Sequence, residues 1–212
     1  MNKIFHDKYT KFSDHLFREV SLLQKWLGQA VLLMKIKKSS YLKYFNEQEL
    51  EFFFQQKILV ESALVLGLGR LLEDRGKNQS IFKFIRFCRE NRKSFSKNLE
   101  SDLIRNFLAD FEDYVDTIAA VMERRDNQYG HTDPSYVNDP YKIFKFVILT
   151  PKIDAIIMRC YKVLQYFDDA YDETVLHFNK SSDNAELLNV VECLKSVAVP
   201  RALINPRWKT RF

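Results

Sequence analysis

The stretch MERRDNQYGHTD, Met122 to Asp133, gathers two arginines, two aspartates and a histidine where an apolar helical pattern ends. These residue types suit phosphodiester chemistry. A guanidinium grips phosphate oxygens with a two-pronged fork and stabilises negative charge as it develops in a transition state. An imidazole titrating near neutrality can take a proton from a ribose 2′-hydroxyl or give one to the leaving oxygen. Asp126 adjoins Arg125 and can orient either partner, and such a reaction calls for no metal or other cofactor. The same residues also fit a plainer role. Basic side chains at a helix C-terminus complement the helix dipole, and His131 can cap that end or face solvent.

The elements that must position these groups are helical. Phe111, Val115, Ile118 and Met122 recur at three- and four-residue steps, and the next step lands on Arg125. On that reading an arginine occupies a core-facing seam and needs an anion or a carboxylate partner there. Arg124, about 100° further round the helix, is expected to face away. Arg125 and His131 would stand about 120° apart on an unbroken helix. Gly130 weakens the helix and Pro134 stops it, so a bend can swing the imidazole back toward the guanidinium.

The composition of the whole chain agrees with an all-α bundle. Only five glycines and five prolines occur among 212 residues, which favours long helices over a turn-rich β architecture. A hydrophobic share of 46% beside 29% charged residues excludes disorder and allows a sizeable core. The net charge of +5 permits a polyanionic partner without establishing one. Cys88, Cys160 and Cys193 are widely spaced and form no zinc-type pattern. The N-terminal MNKIFHDKYTKF has no signal-peptide character. The most apolar run, ILVESALVLGLGRLL, is interrupted by Glu61 and Arg70 and is too short to span a bilayer. A reduced, cytoplasmic protein with no membrane partner is expected.

Periodicity predicts a helix over 13–35 through Leu16, Val20, Leu23, Leu27, Ala30 and Met34, then a connection over 39–47. A central helix follows over 47–74, apolar on more than one side. Ser80 caps a short helix through Ile81, Phe84, Ile85 and Cys88. One long helix is predicted over 97–128, then a break at TDPSYVNDP. Thr150 and Pro151 start a helix through Ile153, Ile157, Tyr161, Leu164 and Phe167. Leu23, Leu66, Phe111, Ile118 and Ile157 are expected in the core. Residues 1–178 form the bundle; 179–212 add a helix over 184–197 and the basic tail PRALINPRWKTRF, packing on or extending the same domain.

The segment RDNQYGHTD resembles the motif of the HEPN superfamily, in which an arginine, a polar residue, four further residues and a histidine close a helix of an all-α bundle. The chain is most similar to the abortive-infection AbiU-type HEPN proteins. The likeness extends to LGLGRLLEDRGKNQSIFKFIRF, where RLLED precedes a short capped helix, and runs from about Gln24 to Phe178. Many HEPN proteins are metal-independent RNases that dimerise so that two motifs face each other. The resemblance implies phosphate binding by Arg125, the polar position for Asp126 and acid–base chemistry by His131. The spacing also tolerates Arg124 as the motif arginine, and Arg124, Asn127 and Tyr129 are candidate substrate contacts. Asp133 stands where HEPN partners of nucleotidyltransferases carry a tyrosine, which argues against that subgroup.

Other motifs carry less. GLGRLL lacks the third glycine of a dinucleotide fingerprint and reads as helix packing. Arg70 and Asp74, four apart, read as a structural pair. Asp168, Asp169, Asp172 and Glu173 form an acidic cluster without a matching His or Cys set. No partner is evident for His6, His15 or His177. The aromatic excess belongs to the core or to a dimer surface. The expectation is a homodimeric, metal-independent endoribonuclease of a defence or toxin–antitoxin type system. It would cleave RNA by 2′-hydroxyl attack at the dimer interface, with an antitoxin or regulatory partner possible. The competing expectation is a non-catalytic HEPN module that binds RNA, a nucleotide or a partner protein.

Overall fold

The leucine and valine spacing that marks the first helix lays one face of α1 (Lys3–Lys38) against α2 (Glu47–Leu72) and against the last described helix, α6 (Thr150–Tyr171). The computed structural model describes residues 3–38, 45–97, 99–130 and 150–171. Between α2 and α6 run α3 (Ile81–Glu90), α4 (Ser101–Ala109) and α5 (Val115–Arg124), with 3₁₀ turns at Arg92–Ser94 and Glu112–Tyr114. α5 passes directly into a π-helical turn, Arg125–Gly130. No strand occurs among the described residues, and the fold is an all-α bundle.

Local chemistry explains the boundaries. Asn46 accepts a hydrogen bond from the Glu49 amide at 2.8 Å while Glu49 accepts one from the Asn46 amide at 2.7 Å, a reciprocal capping box that starts α2. Ser80 caps α3 as expected, and Ile81, Phe84, Ile85 and Cys88 are all buried. α1 starts ten residues before the expected Ser13, because Phe5 and Tyr9 extend its buried face. α2 ends at Leu72 instead of Asp74, since Glu73 is already extended. The predicted pairing of Arg70 with Asp74 fails for that reason: Asp74 lies beyond the helix. Arg70 meets Glu19 at 3.1 Å and Asp74 meets Arg86 at 2.5 Å.

The expected helix over 97–128 is broken. Asp110 is held by Arg159 of α6 at 2.7 Å, and short i→i+3 bonds from Phe111 to Leu108 and from Tyr114 to Phe111 tighten the chain there. The break rotates α5 relative to α4. Phe111 is therefore 3% exposed while Val115, predicted on the same face, is 62% exposed. α5 buries Thr117 and Val121 instead, and Ile118 and Met122 lie half-buried along its edge.

One core joins the six described helices. Leu23, Phe111 and Ile157 are buried in it as expected, whereas Leu66 and Ile118 are only half-buried. Its lower end is aromatic: Tyr9, Phe84, Phe95, Phe167 and Tyr171 stack or meet edge to face at 4.1–6.2 Å between ring centres. His6, for which the sequence suggested no partner, bonds the Tyr171 hydroxyl. Ser96 Oγ donates to the Ala170 carbonyl at 2.7 Å, tying the α3–α4 connection to the end of α6. Cys88 and Cys160 are buried free thiols, and burial raises the pKa of both. α2, with 26 residues, is long and apolar enough by length and composition to cross a membrane, although its apolar run read as too short. Here its C-terminal half is core, with Leu64, Val65, Leu68, Leu71 and Leu72 buried, while Phe52, Phe54, Ile58 and Leu59 lie exposed nearer its start. The expected break after Gly130, the helix over 184–197 and the basic tail lie outside the described residues.

Candidate functional site

The two arginines that end α5 point to different places. Thr117, Val121 and Arg124 follow one another at four- and three-residue steps, so Arg124 continues the buried stripe of α5 and not an outward face. It reaches back to α2, with Nη2 at 3.8 Å from Glu61 Oε2, on the wall of a cavity of about 70 Å³ lined by Leu27, Ala30, Leu64, Leu68 and Ile153. Glu61 also meets Lys57 at 3.0 Å. The glutamate that interrupts the apolar run of α2 is thus a half-buried anchor for α5.

Arg125 follows the other edge, Ile118 and Met122, to the mouth of an open cleft of about 540 Å³. Its Nε donates to Asp126 Oδ1 at 2.7 Å, and its Nη1 lies 3.3 Å from the Gly69 carbonyl and 3.4 Å from Glu73 Oε1. Nη2 makes no bond among the described residues. The hydrogen bond donated to Asp126 and the charges of Asp126 and Glu73 raise the guanidinium pKa despite partial burial. The carboxylates therefore fix the orientation of a cation that stays charged throughout the accessible pH range.

Glycine makes this approach possible. A Cβ at position 69 would fall on Arg125 Cδ, and one at position 67 would stand 2.9 Å from Leu23 Cδ2. GLGRLL is packing, as read from the sequence, but its two glycines serve different neighbours. Gly67 admits α1, and Gly69 admits the stem of Arg125 across α2.

The turn that carries Arg125 is π-helical, a wider winding that inserts a residue and re-aims side chains, often at functional sites. Asn127 is half-buried within it. Tyr129 and Gly130 belong to the same turn, while the side chain of Tyr129 and the whole of His131 lie outside the described residues. Of the expected site residues, Arg125 and Asp126 are brought together, and Arg124 pairs instead with Glu61, eight residues before Gly69 on α2. Sequence reasoning missed Glu73 and Gly69. A glycine inside a helix of strong formers was the available signal, since it destabilises a helix relative to alanine unless something packs against it.

The charge of the cleft was also not foreseen. Within one copy Glu73, Asp74, Glu112 and Asp126 face it along with Arg75 and Arg125. The remaining walls are apolar: Leu72, Phe82, Leu108, Phe111, Val115, Ile118 and Met122. Elsewhere, Asp168 accepts a 3.5 Å bond from the Tyr9 hydroxyl, and no group of three His, Cys, Asp or Glu converges as a metal site among the described residues.

Comparison with curated proteins and with solved structures gives no match. The family model for AbiU2, of the HEPN class, matches residues 52–188 and so takes in most of α2, all of α3 to α6 and the whole Arg125 cleft. That match spans more than half of the chain, on a bundle of the all-α class, and the chain belongs to the AbiU2 family of HEPN proteins.

Proposed function

We propose that this protein is a metal-independent endoribonuclease of a defence or toxin–antitoxin type system, with Arg125 as the phosphate ligand and His131 as the acid–base group. The observation that carries the reading is the setting of Arg125. Two carboxylates and a backbone carbonyl hold the guanidinium at the mouth of an open cleft, with Nη2 left over for an incoming anion. Arg124 pairs with Glu61 of α2 and does not line the cleft, which favours Arg125 as the motif arginine. A phosphate approaching Nη2 competes with Glu73 for Nη1, the longer of the two carboxylate contacts. Asp126 keeps the fork in plane, and His131, six residues on, removes the 2′-hydroxyl proton or protonates the leaving oxygen.

One arginine and one histidine offer few groups for a transition state, so two copies sharing a cleft complete the site. The exposed Phe52, Phe54, Ile58 and Leu59 on α2 support such self-association. The competing reading, a binding module without cleavage, draws on the same cleft.

The test is an RNA-cleavage assay in EDTA with wild type, His131→Ala and Arg125→Lys. Cleavage should persist without divalent ions, fail on DNA and leave a 2′,3′-cyclic phosphate or its hydrolysis product. His131→Ala should lose about a hundredfold to ten-thousandfold in rate. Arg125→Lys should also fail, because an ammonium cannot reproduce the fork. Equal rates for wild type and His131→Ala would remove the mechanism and leave the binding module.

A further inference from the structure

The cleft beside Arg125 has features that gripping a phosphate leaves unused. Val115, Ile118 and Met122 line it along α5, Arg125 and Asp126 close one end, and Glu112 stands just before the other. At 1.5 Å per residue, Val115 and Arg125 are about 15 Å apart along the helix axis. Across from α5, the rings of Phe82 and Phe111 meet edge to face with centres 5.1 Å apart. Its four carboxylates are not equivalent. Glu73 and Asp126 share Arg125 as their partner, and Asp74 is paired with Arg86. Glu112 is exposed and has no ion pair or side-chain hydrogen bond among the described residues.

We propose that this cleft is a base-reading subsite, taking an unstacked guanine of single-stranded RNA with Glu112 as its hydrogen-bond acceptor. The proposal rests on the reading of Arg125 as the ligand of the scissile phosphate. An apolar, partly aromatic trough accepts the flat face of a base, as single-strand-binding proteins do with aromatic platforms. The polar group at its end selects among bases. A carboxylate offers two parallel acceptors and no donor, and guanine alone presents two adjacent donors, N1–H and the N2 amino group, on its Watson–Crick edge. Adenine and cytosine set a ring-nitrogen acceptor beside their amino group, and uracil flanks its single N–H with two carbonyls, so each points a lone pair at the carboxylate. The distance from Arg125 to the Glu112 end exceeds the reach of one nucleotide, so the guanine belongs to a neighbour of the nucleotide that is cut.

The experiment is cleavage of short oligoribonucleotides in which each position flanking the cut carries G, A, C or U in turn, with inosine replacing guanine in a further set. Wild type should prefer guanine at one flanking position, and inosine, which lacks the N2 amino group, should lose most of that preference. Glu112→Gln should lower the guanine-to-adenine rate ratio by about ten- to a hundredfold, the range for one charge-assisted hydrogen bond. Equal cleavage of all four series, or a ratio unchanged in Glu112→Gln, would overturn the subsite and leave the ribonuclease reading standing. If wild type cleaves nothing, the ribonuclease reading fails on its own. Titration of GpApG against ApApA, followed by amide NMR shifts, then decides the subsite: a preference for the guanine trinucleotide that Glu112→Gln removes supports it, and no preference overturns it.

Discussion

The aromatic end of the bundle and the Arg125 end are built on opposite plans. At the first, α1, α3 and α6 run unbroken, and Phe5, Tyr9, Phe84, Phe167 and Tyr171, with Phe95 from the α3–α4 connection, are all buried, ring against ring. At the second, the chain is interrupted twice within twenty-one residues, by the tight turn over 110–114 and by the π turn over 125–130. The interruptions leave Val115 exposed, Ile118 and Met122 half-covered, and an arginine held in place by carboxylates. Regular winding closes a surface, and irregular winding opens one. The first end stores stability, and the second forgoes it to keep a cleft accessible.

The largest effect that tests this division is expected at the aromatic end. Phe84 is fully buried and meets Phe12, Tyr9 and Phe167 at 5.3–5.7 Å between ring centres. Phe84→Ala should lower unfolding stability by about 3–5 kcal/mol. Activity per folded molecule should stay unchanged. Denaturant unfolding alongside a rate normalised to folded protein separates the two, and a rate that falls with the fold intact would show that the two ends are coupled.

Alkaline pH should strike the same end. Burial is the main cause that raises the pKa of Tyr9, with the charges of Cys88 and Asp168 adding to it, and burial raises Cys88 as well. Both groups are held protonated in the folded state. Once pH passes their ordinary values, 9.0 for the thiol and 10.0 for the phenol, the unfolded chain releases protons that the folded chain keeps. Stability is therefore fully present below about pH 9 and falls above it, by up to about 1.4 kcal/mol per pH unit for each group. Thermal melts between pH 8 and pH 11 should show this decline, and Cys88→Ala should make it shallower. A flat profile would mean that the aromatic end admits water.

Gly69→Ala reverses the pattern. Alanine favours the helix by up to about 1 kcal/mol, and the atom it meets belongs to a flexible side chain, Arg125 Cδ. The melting temperature should hold or rise. The guanidinium must move off the Gly69 carbonyl, however, and a misplacement of about 1 Å can cost up to a hundredfold in rate. Cleavage should drop by about tenfold or more. Unchanged cleavage would show that the position of Arg125 seen here does not matter to turnover.

The same contrast decides what could be read in advance. In α6, Ile153, Ile157, Leu164 and Phe167 follow the helical period and are buried, as expected, while Tyr161, expected on the same face, is half-buried. In the segment from Phe111 to Arg125 the period was present but ran across a break, so a single seam was inferred where the structure has two. Nothing in Leu108–Tyr114 announces the turn, because Asp110 is fixed by Arg159, forty-nine residues away. Long-range pairing also hid Glu73, which seemed to belong to the end of α2 and instead holds Arg125. Asp126 was found because it is the immediate neighbour of Arg125 in sequence. Local chemistry was readable; partners brought by the fold were not.

The smallest effect concerns the turn that divides the two plans. Asp110 and Arg159 meet at 2.7 Å, each about one-third exposed, so solvent screens the pair and its coupling energy should be about 0.2–1 kcal/mol. A double-mutant cycle with Asp110→Asn and Arg159→Gln measures that coupling directly. Its consequence for the cleft should be out of proportion to its energy. Without the pair, Phe111 can slip toward helical register with α5, which would turn Val115 inward and narrow the trough that Phe82 and Phe111 floor. Asp110→Asn should then change the base preference of cleavage while moving the unfolding midpoint hardly at all. A variant that loses stability but keeps wild-type preference would show that the turn is held by the 3₁₀ bonds alone, and that α6 plays no part in shaping the cleft.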